Sequence, residues 1–210
     1  LVAGKSTRFE YNTSKQVFLL KSKPVFSYPL NALANSKVID EVIVVSDTSH
    51  IEEIANYIKT NNLSCVHVCE GGETRQQSVE KGLACIQNAN PDDIVIIHDG
   101  ARPLIDEEII SRTVEEATKF SAVTTCLPME DTIAFSDFDE HIAGFADRTQ
   151  LVKIQTPQAF KYAVIVEAHK LAADSFATDD CSLVMRTLMQ VKLVPGSKKL
   201  AKLTTVEDIN

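Results

Sequence analysis

The chain predicts an α/β fold, a mainly parallel sheet flanked by helices, and three observations predict it. Short apolar runs alternate with amphipathic helical segments from Val42 to Leu127. One run, Ile94–Ile97, is unbroken and β-branched, as a strand buried on both faces requires. Glycine-bearing polar turns follow the strands, and open α/β sheets bind their ligands at strand carboxyl ends.

Taken in order, Leu1–Gly4 reads as the tail of a strand whose start is missing, and a polar loop follows with Lys5, Arg8 and Lys15. Pro24–Ser36 reads as a helix, with Pro24 in its first turn and Pro29 an interruption or kink. Val42–Ser46 is a buried strand. Ser49–Asn61 is a helix because Ile51, Ile54, Ala55 and Ile58 keep the 3.6-residue period. Ser64–Val68 is the next strand and runs into Glu70-Gly71-Gly72; the helix after it carries Val79, Leu83 and Ile86 on one stripe. After Ile94–Ile97, Asp106 caps a helix to Phe120, and Ser121–Leu127 is a strand. The pattern then changes. Thr132–Phe135 and His141–Ala146 alternate like two strands of a hairpin, an arm at about residues 129–149. Such a hairpin is marginal alone and is expected to pack on something, a second subunit being one choice. Leu151–Thr156 resumes a strand that Pro157 stops. Lys161–Phe176 is a helix, Ala177–Asp180 starts another that continues over Cys181–Met189, and Val191–Val194 is the last strand. Thr204–Asn210 opens a further helix. No repeat or linker divides residues 1–210, so they read as one domain.

Composition excludes some classes. The 210 residues carry a net charge of -8, which argues against a protein that coats nucleic acid. No apolar run approaches the roughly 20 residues of a membrane span, and no signal peptide is visible. The five cysteines are an odd number without zinc-site spacing, and they read as reduced, mostly buried thiols of a cytoplasmic protein.

Four strand ends carry polar clusters: Gly4–Lys15, Gly71–Ser78, Asp99–Arg102, and Thr178-Asp179 with Lys202. Sharing one edge of a sheet, they would converge. Glycines, cations and one central aspartate suit phosphate chemistry with a metal. Asp99 would hold a metal or a ribose hydroxyl, Gly100 would let a backbone or ligand approach closely, and Arg102 would grip a phosphate. A polar loop with an Asp–Arg surface pair remains the plain alternative. His98 reads as a hydrogen-bonded structural residue on the opposite strand face from Asp99, and His50, His67, His141 and His169 show no partner pattern. No Ser/His/Asp order or nucleophile elbow supports hydrolase chemistry.

These residues resemble a known family. Leu1-Val2-Ala3-Gly4 with Arg8, Lys15-Gln16, Gly71-Gly72 with Arg75 and Ser78, and His98-Asp99-Gly100-Ala101-Arg102-Pro103 recur in order. So do Asp131-Thr132, Asp147-Arg148, Gln155-Thr156-Pro157-Gln158, Thr178-Asp179-Asp180 and Lys202-Leu203-Thr204-Thr205. The whole chain is similar to the 2-C-methyl-D-erythritol 4-phosphate cytidylyltransferases. The family usually has a second glycine where this chain has Ser6. The resemblance implies a Rossmann-like nucleotidyltransferase fold with a protruding β-arm that makes a homodimer in the cytoplasm, or in the plastid stroma of a eukaryote. It implies CTP and a sugar-alcohol phosphate as substrates, with Mg²⁺ and with no nucleic acid or membrane partner. CTP would meet Ala3, Gly4, Gly71, Gly72, Glu73, Arg75, Ser78, Asp99 and Gly100. Arg8 and Lys15 would stabilise charge on the attacked phosphate. Arg102, Thr132, Arg148, Thr156, Thr178 and Lys202 would hold the sugar phosphate. Arg148 and Lys202 would also share in catalysis, Thr132 and Arg148 would come from the partner's arm, and Asp99 would bind the metal. Rival readings are a cytidylyltransferase for ribitol 5-phosphate, a nucleotidyltransferase using UTP or GTP, and a non-catalytic nucleotide-binding protein of the same fold.

Overall fold

Apolar β-branched runs become strands, and stripes of 3.6-residue period become the helices that cover them. The computed structural model describes residues 1–4, 16–172, 177–205 and 207–209. A short ribbon, β1 (Leu19–Leu20) and β2 (Lys23–Pro24), precedes α1 (Ser27–Ala34). Then come β3 (Val42–Ser46), α2 (Ile51–Thr60), β4 (Val66–Glu70), α3 (Arg75–Ala84), β5 (Ile94–Ile97) and α4 (Glu107–Phe120). The second half holds β6 (Ala122–Pro128), β7 (Ala134–Ser136), β8 (Ile142–Phe145), β9 (Val152–Lys161), α5 (Tyr162–Leu171), α6 (Asp180–Arg186) and β10 (Lys192–Pro195).

Strands β3 and β4 pair in parallel, and a second group runs in the order β10-β6-β9-β5. Residues 1–3 join the two groups. The Val2 amide donates to Val45 O at 2.8 Å, and the Gly100 amide donates to Leu1 O at 2.8 Å. The segment therefore lies between the carboxyl ends of β3 and β5. Helices α1, α2 and α4 cover one face through Leu30, Ile54 and Ile110, and α3, α5 and α6 cover the other through Val79, Ile165 and Val184. No helix among the described residues is long and apolar enough to cross a membrane.

The sheet is mixed: β5, β6 and β10 share one direction, and β3 and β4 pair in parallel. β9 runs antiparallel to both neighbours, β5 and β6. No crossover helix separates β6 from β9. The chain leaves β6, makes the β7–β8 hairpin and returns alongside, and a return of that kind permits only the antiparallel direction. The hairpin is thus the tip of the β6–β9 ladder, whose last pair is Pro128 with Val152. Pro157 does not stop β9. The ladder passes from Thr124–Gln158 to Cys126–Ile154, so the stretch holding Pro157 is an irregularity where no donor is owed.

Other expectations change in detail. Pro24 lies in β2, and Pro29 is the third residue of α1, where amide hydrogens have no intrahelical partner anyway. β5 is only half-buried over Ile94–Ile96. All five cysteines are free, but only Cys126 and Cys181 are buried, and Cys85 is exposed. Near the end, the described residues show a single 3-10 turn at Glu207–Ile209 in place of the expected α-helix.

Candidate active site

The strand ends converge on a cavity of about 410 Å³, lined by Ala3, Gly4, Glu73, Arg75, Ser78, Asp99 and Lys202. All four predicted clusters therefore meet there, the fourth through Lys202 alone. Leu1, Gln16, Thr74 and Ala101 complete the wall; of these Gln16 is buried and was legible only as the neighbour of Lys15.

The turn after β4 is held by its own helix. Thr74 caps α3 by accepting from the Gln77 amide, and the Gln77 side chain accepts from the Glu73 and Thr74 amides, a reciprocal capping box. Ser78 Oγ accepts from the Gly72 amide at 3.1 Å, and the Gly71 amide donates to Ser46 O at 2.7 Å. The amides of Gly71, Gly72 and Glu73 are therefore spent internally. The turn offers a ligand carbonyl oxygens, of which Gly71 O takes one bond from Lys81 Nζ at 2.7 Å. Gly71 is needed for close packing: a Cβ there would sit 2.7 Å from Ala3 Cβ and 2.9 Å from Ser78 Oγ. At Gly100 a Cβ would meet the Val2 side chain and the Leu1 carbonyl, whose oxygen accepts from the Gly100 amide.

Asp99 forms the floor. Lys202 Nζ donates to its Oδ2 at 2.9 Å, while Arg75 Nε and Arg102 Nε each stand 3.6 Å from one of its oxygens. Burial alone would raise its pKa. Lys202, Arg75 and Arg102 outweigh that and hold the carboxyl well below the usual range. For Arg75, burial pulls the pKa down, and Asp180 and Asp99 more than reverse it. Asp180 Oδ2 pairs with Arg75 Nη1 at 2.7 Å. Two buried guanidinium nitrogens beside Asp99, Arg75 Nη2 and Arg102 Nε, have no hydrogen-bond partner among the described residues. Buried donors of this kind call for an acceptor, and of these two side chains Arg75 is the one that lines the cavity, where it could meet an anion.

Behind the floor, Thr156 Oγ1 accepts from the Asp99 amide at 3.0 Å and bonds His98 Nδ1 at 3.2 Å, and His98 Nε2 bonds Arg102 O. Burial drives the His98 pKa down to about 4, so its imidazole is neutral, and its role is the structural one expected. Arg102 Nη1 donates to Leu200 O at 2.6 Å, which fastens the Lys202 segment to β5. Arg102 and Thr156 thus brace Asp99 rather than line the cavity.

Other predicted residues stand apart. Thr178 is exposed just before α6 and lines no wall of the cavity. Thr132 and Arg148 are exposed beside the hairpin, and Arg148 Nη1 donates to Glu130 O. Arg8 and Lys15 lie outside the described residues. No cluster of three or more metal-type side chains occurs among the described residues.

Comparisons with known proteins point one way. The family model described as IspD, 2-C-methyl-D-erythritol 4-phosphate cytidylyltransferase, matches residues 1–210. The enzyme of that name from Clostridium acetobutylicum is 36% identical, over 100% of this chain and 92% of the relative. That from Syntrophus aciditrophicus is 37% identical, over 98% of this chain and 89% of the relative. A solved structure of 4-diphosphocytidyl-2C-methyl-D-erythritol synthase from Anaerococcus prevotii superposes with a TM-score of 0.85 at 29% identity, over 99% of this chain and 89% of that one.

Proposed function

The chain belongs to the 2-C-methyl-D-erythritol 4-phosphate cytidylyltransferase family, and from that premise we propose that the Asp99 cavity is where CMP passes from CTP to the sugar phosphate. The enzyme is a nucleotidyltransferase of isoprenoid precursor synthesis. An oxygen of the sugar's phosphate forms a bond to the α-phosphorus of CTP, the bond to the β-phosphate oxygen breaks, and pyrophosphate leaves. Two anions must meet, so positioning and fixed positive charge supply the catalysis. The observation that carries the assignment of roles is the gathering of Arg75, Arg102 and Lys202 about Asp99, with buried guanidinium donors unspent.

In this reading CTP lies over Ala3, Gly4 and the Gly71–Glu73 turn, with Arg75 and Ser78 at its side. The turn's free capacity is in acceptors, which suits the cytosine amino group and leaves the uracil oxygen facing oxygen. Lys202, together with Arg8 and Lys15, is assigned to the phosphates. A magnesium ion would screen the triphosphate charge. Asp99 fits the single-carboxylate site such an ion accepts when phosphate oxygens and waters complete its shell. The sugar phosphate is assigned to Lys202, with Thr132 and Arg148 contributed by the arm of a second subunit; Arg102 and Thr156 serve it from behind by holding Asp99, and Thr178 stands outside the cavity. Support for that homodimer is the apolar surface of the hairpin, where Phe135, Ile142 and Phe145 are exposed. Free thiols agree with a reducing cytoplasm.

The test is incubation of the purified protein with Mg²⁺, CTP or UTP, and either 2-C-methyl-D-erythritol 4-phosphate or ribitol 5-phosphate. Pyrophosphate release with CTP and the methylerythritol substrate is expected, with UTP slower by at least about tenfold. Equal rates with both nucleotides would remove the turn as the reader of the base. Preference for ribitol 5-phosphate would reassign the sugar site.

A further inference from the structure

We propose that His169 is a positioning residue for the nucleotide site: its imidazole fixes the Asp180 carboxylate, and Asp180 fixes the Arg75 guanidinium. The proposal rests on the reading that Arg75 contacts CTP.

The three residues come from three helices, α5, α6 and α3. Asp180 is fully buried, and its two oxygens are engaged from different sides. Oδ2 stands 2.7 Å from Arg75 Nη1, and Oδ1 stands 3.2 Å from His169 Nε2. His169 is buried too, and its Nδ1 has no hydrogen-bond partner among the described residues. A hydrogen on Nε2 can therefore be donated to Asp180 Oδ1. With both oxygens held, the carboxylate cannot turn without breaking one contact.

Arg75 is nearer Asp180 than Asp99, at 2.7 Å against 3.6 Å, so Asp180 sets where the guanidinium rests. That placement leaves Nη2 buried and without a hydrogen-bond partner among the described residues, on a side chain that lines the cavity. Stability alone does not require this arrangement. A buried ion pair is costly to desolvate, and apolar side chains of similar volume would join three helices as well or better. What the chain supplies is a fixed direction for a flexible side chain, the service that outer partners give to directly bound ligand groups.

The test is calorimetric titration of the full chain with CTP and Mg²⁺, without sugar phosphate, alongside thermal melting. His169→Leu is expected to fold and to weaken CTP binding by about tenfold. His169→Gln, whose amide can donate from the place of Nε2, should bind within about twofold of wild type. His169→Asn, whose amide stops short, should behave like the leucine variant. Arg75→Gln should weaken CTP by at least about tenfold, and adding His169→Leu to it should cost nothing more. A folded His169→Leu that binds CTP like wild type overturns the relay. So does equal binding by the Gln and Asn variants, which settles the matter if the leucine variant does not fold. So does a penalty that persists undiminished when Arg75 is already Gln. Wild-type CTP binding by Arg75→Gln would remove Arg75 from the nucleotide site, and the relay with it. A weak Arg75→Gln beside an unaffected His169→Leu spares the site and rejects only the relay.

Discussion

His98 and Asp99 are adjacent and equally buried, yet they carry opposite chemistry because alternate residues of an extended segment face opposite ways. Asp99 faces three cations and stays ionised; His98 faces a hydroxyl and a carbonyl and stays neutral. The sign of the His98 effect follows from its folded pKa of about 4 against about 6.5 unfolded. Between those values the unfolded chain holds a proton that the folded chain refuses, so stability falls as pH drops from about 6.5 to about 4. The full effect is roughly 3 kcal/mol. In His98→Gln the slope of unfolding free energy against pH in that window should lessen by about one proton, as urea titrations would show. Identical slopes would mean that His98 titrates normally in the fold. Residues of this kind were legible in the sequence because they sit at strand ends, where a general rule says that polar groups converge. His169 was not. Its partner Asp180 is eleven positions away, and only the packing of α5 on α6 brings the two together.

Elements were legible where period and length agreed, as in α2 and α4, and failed where a local rule was overridden. Pro157 reads as a strand breaker, but the irregular ladder opposite Thr125 absorbs its missing donor. Lys21 and Ser22 carry no turn signature, yet both adopt positive φ, 46° and 66°, to close the β1–β2 ribbon. Ser121 reads as the first residue of a strand and is instead the left-handed cap of α4, with φ of 64°. That conformation costs a non-glycine residue about 1 kcal/mol, and glycine is the usual occupant. Ser121→Gly should therefore raise unfolding free energy by about 1 kcal/mol with turnover unchanged; a lower melting temperature would show that the serine side chain contributes more than its backbone costs. Gly71→Ala belongs to the same scale with the opposite sign. Its methyl group would push on Ala3 and Ser78, two walls of the cavity. The KM for CTP should rise several-fold, while the melting temperature falls by the modest amount typical of an overpacked site.

At the scale of the whole molecule, the sheet gathers Asp99, Arg75 and Lys202 within one subunit, but Arg148 and Thr132 stand away on a hairpin. The hairpin presents Phe135 at 60% exposure and Ile142 and Phe145 at 66% each. Three large apolar side chains exposed on a two-stranded ribbon are a poor solution for an isolated subunit. A twofold exchange of arms would cover them and carry each Arg148 to the other subunit's cavity. Phe135→Ser with Phe145→Ser should then yield monomers in sedimentation, with activity lost although the Asp99 cavity is untouched. Complementation gives the sharper test. Arg148→Ala and Lys202→Ala are each expected to be inactive alone. In a mixed dimer one site receives Lys202 from its own subunit and Arg148 from the other, and so has neither defect, while the second site has both. Activity should reappear on mixing under conditions where subunit exchange is demonstrated by labelled chains, up to about half the wild-type value per mixed dimer, since one of its two sites is whole. If exchange is complete and the mixture stays inactive, Arg148 serves the site of its own subunit, and the arm must fold back across the sheet edge rather than reach over to a partner.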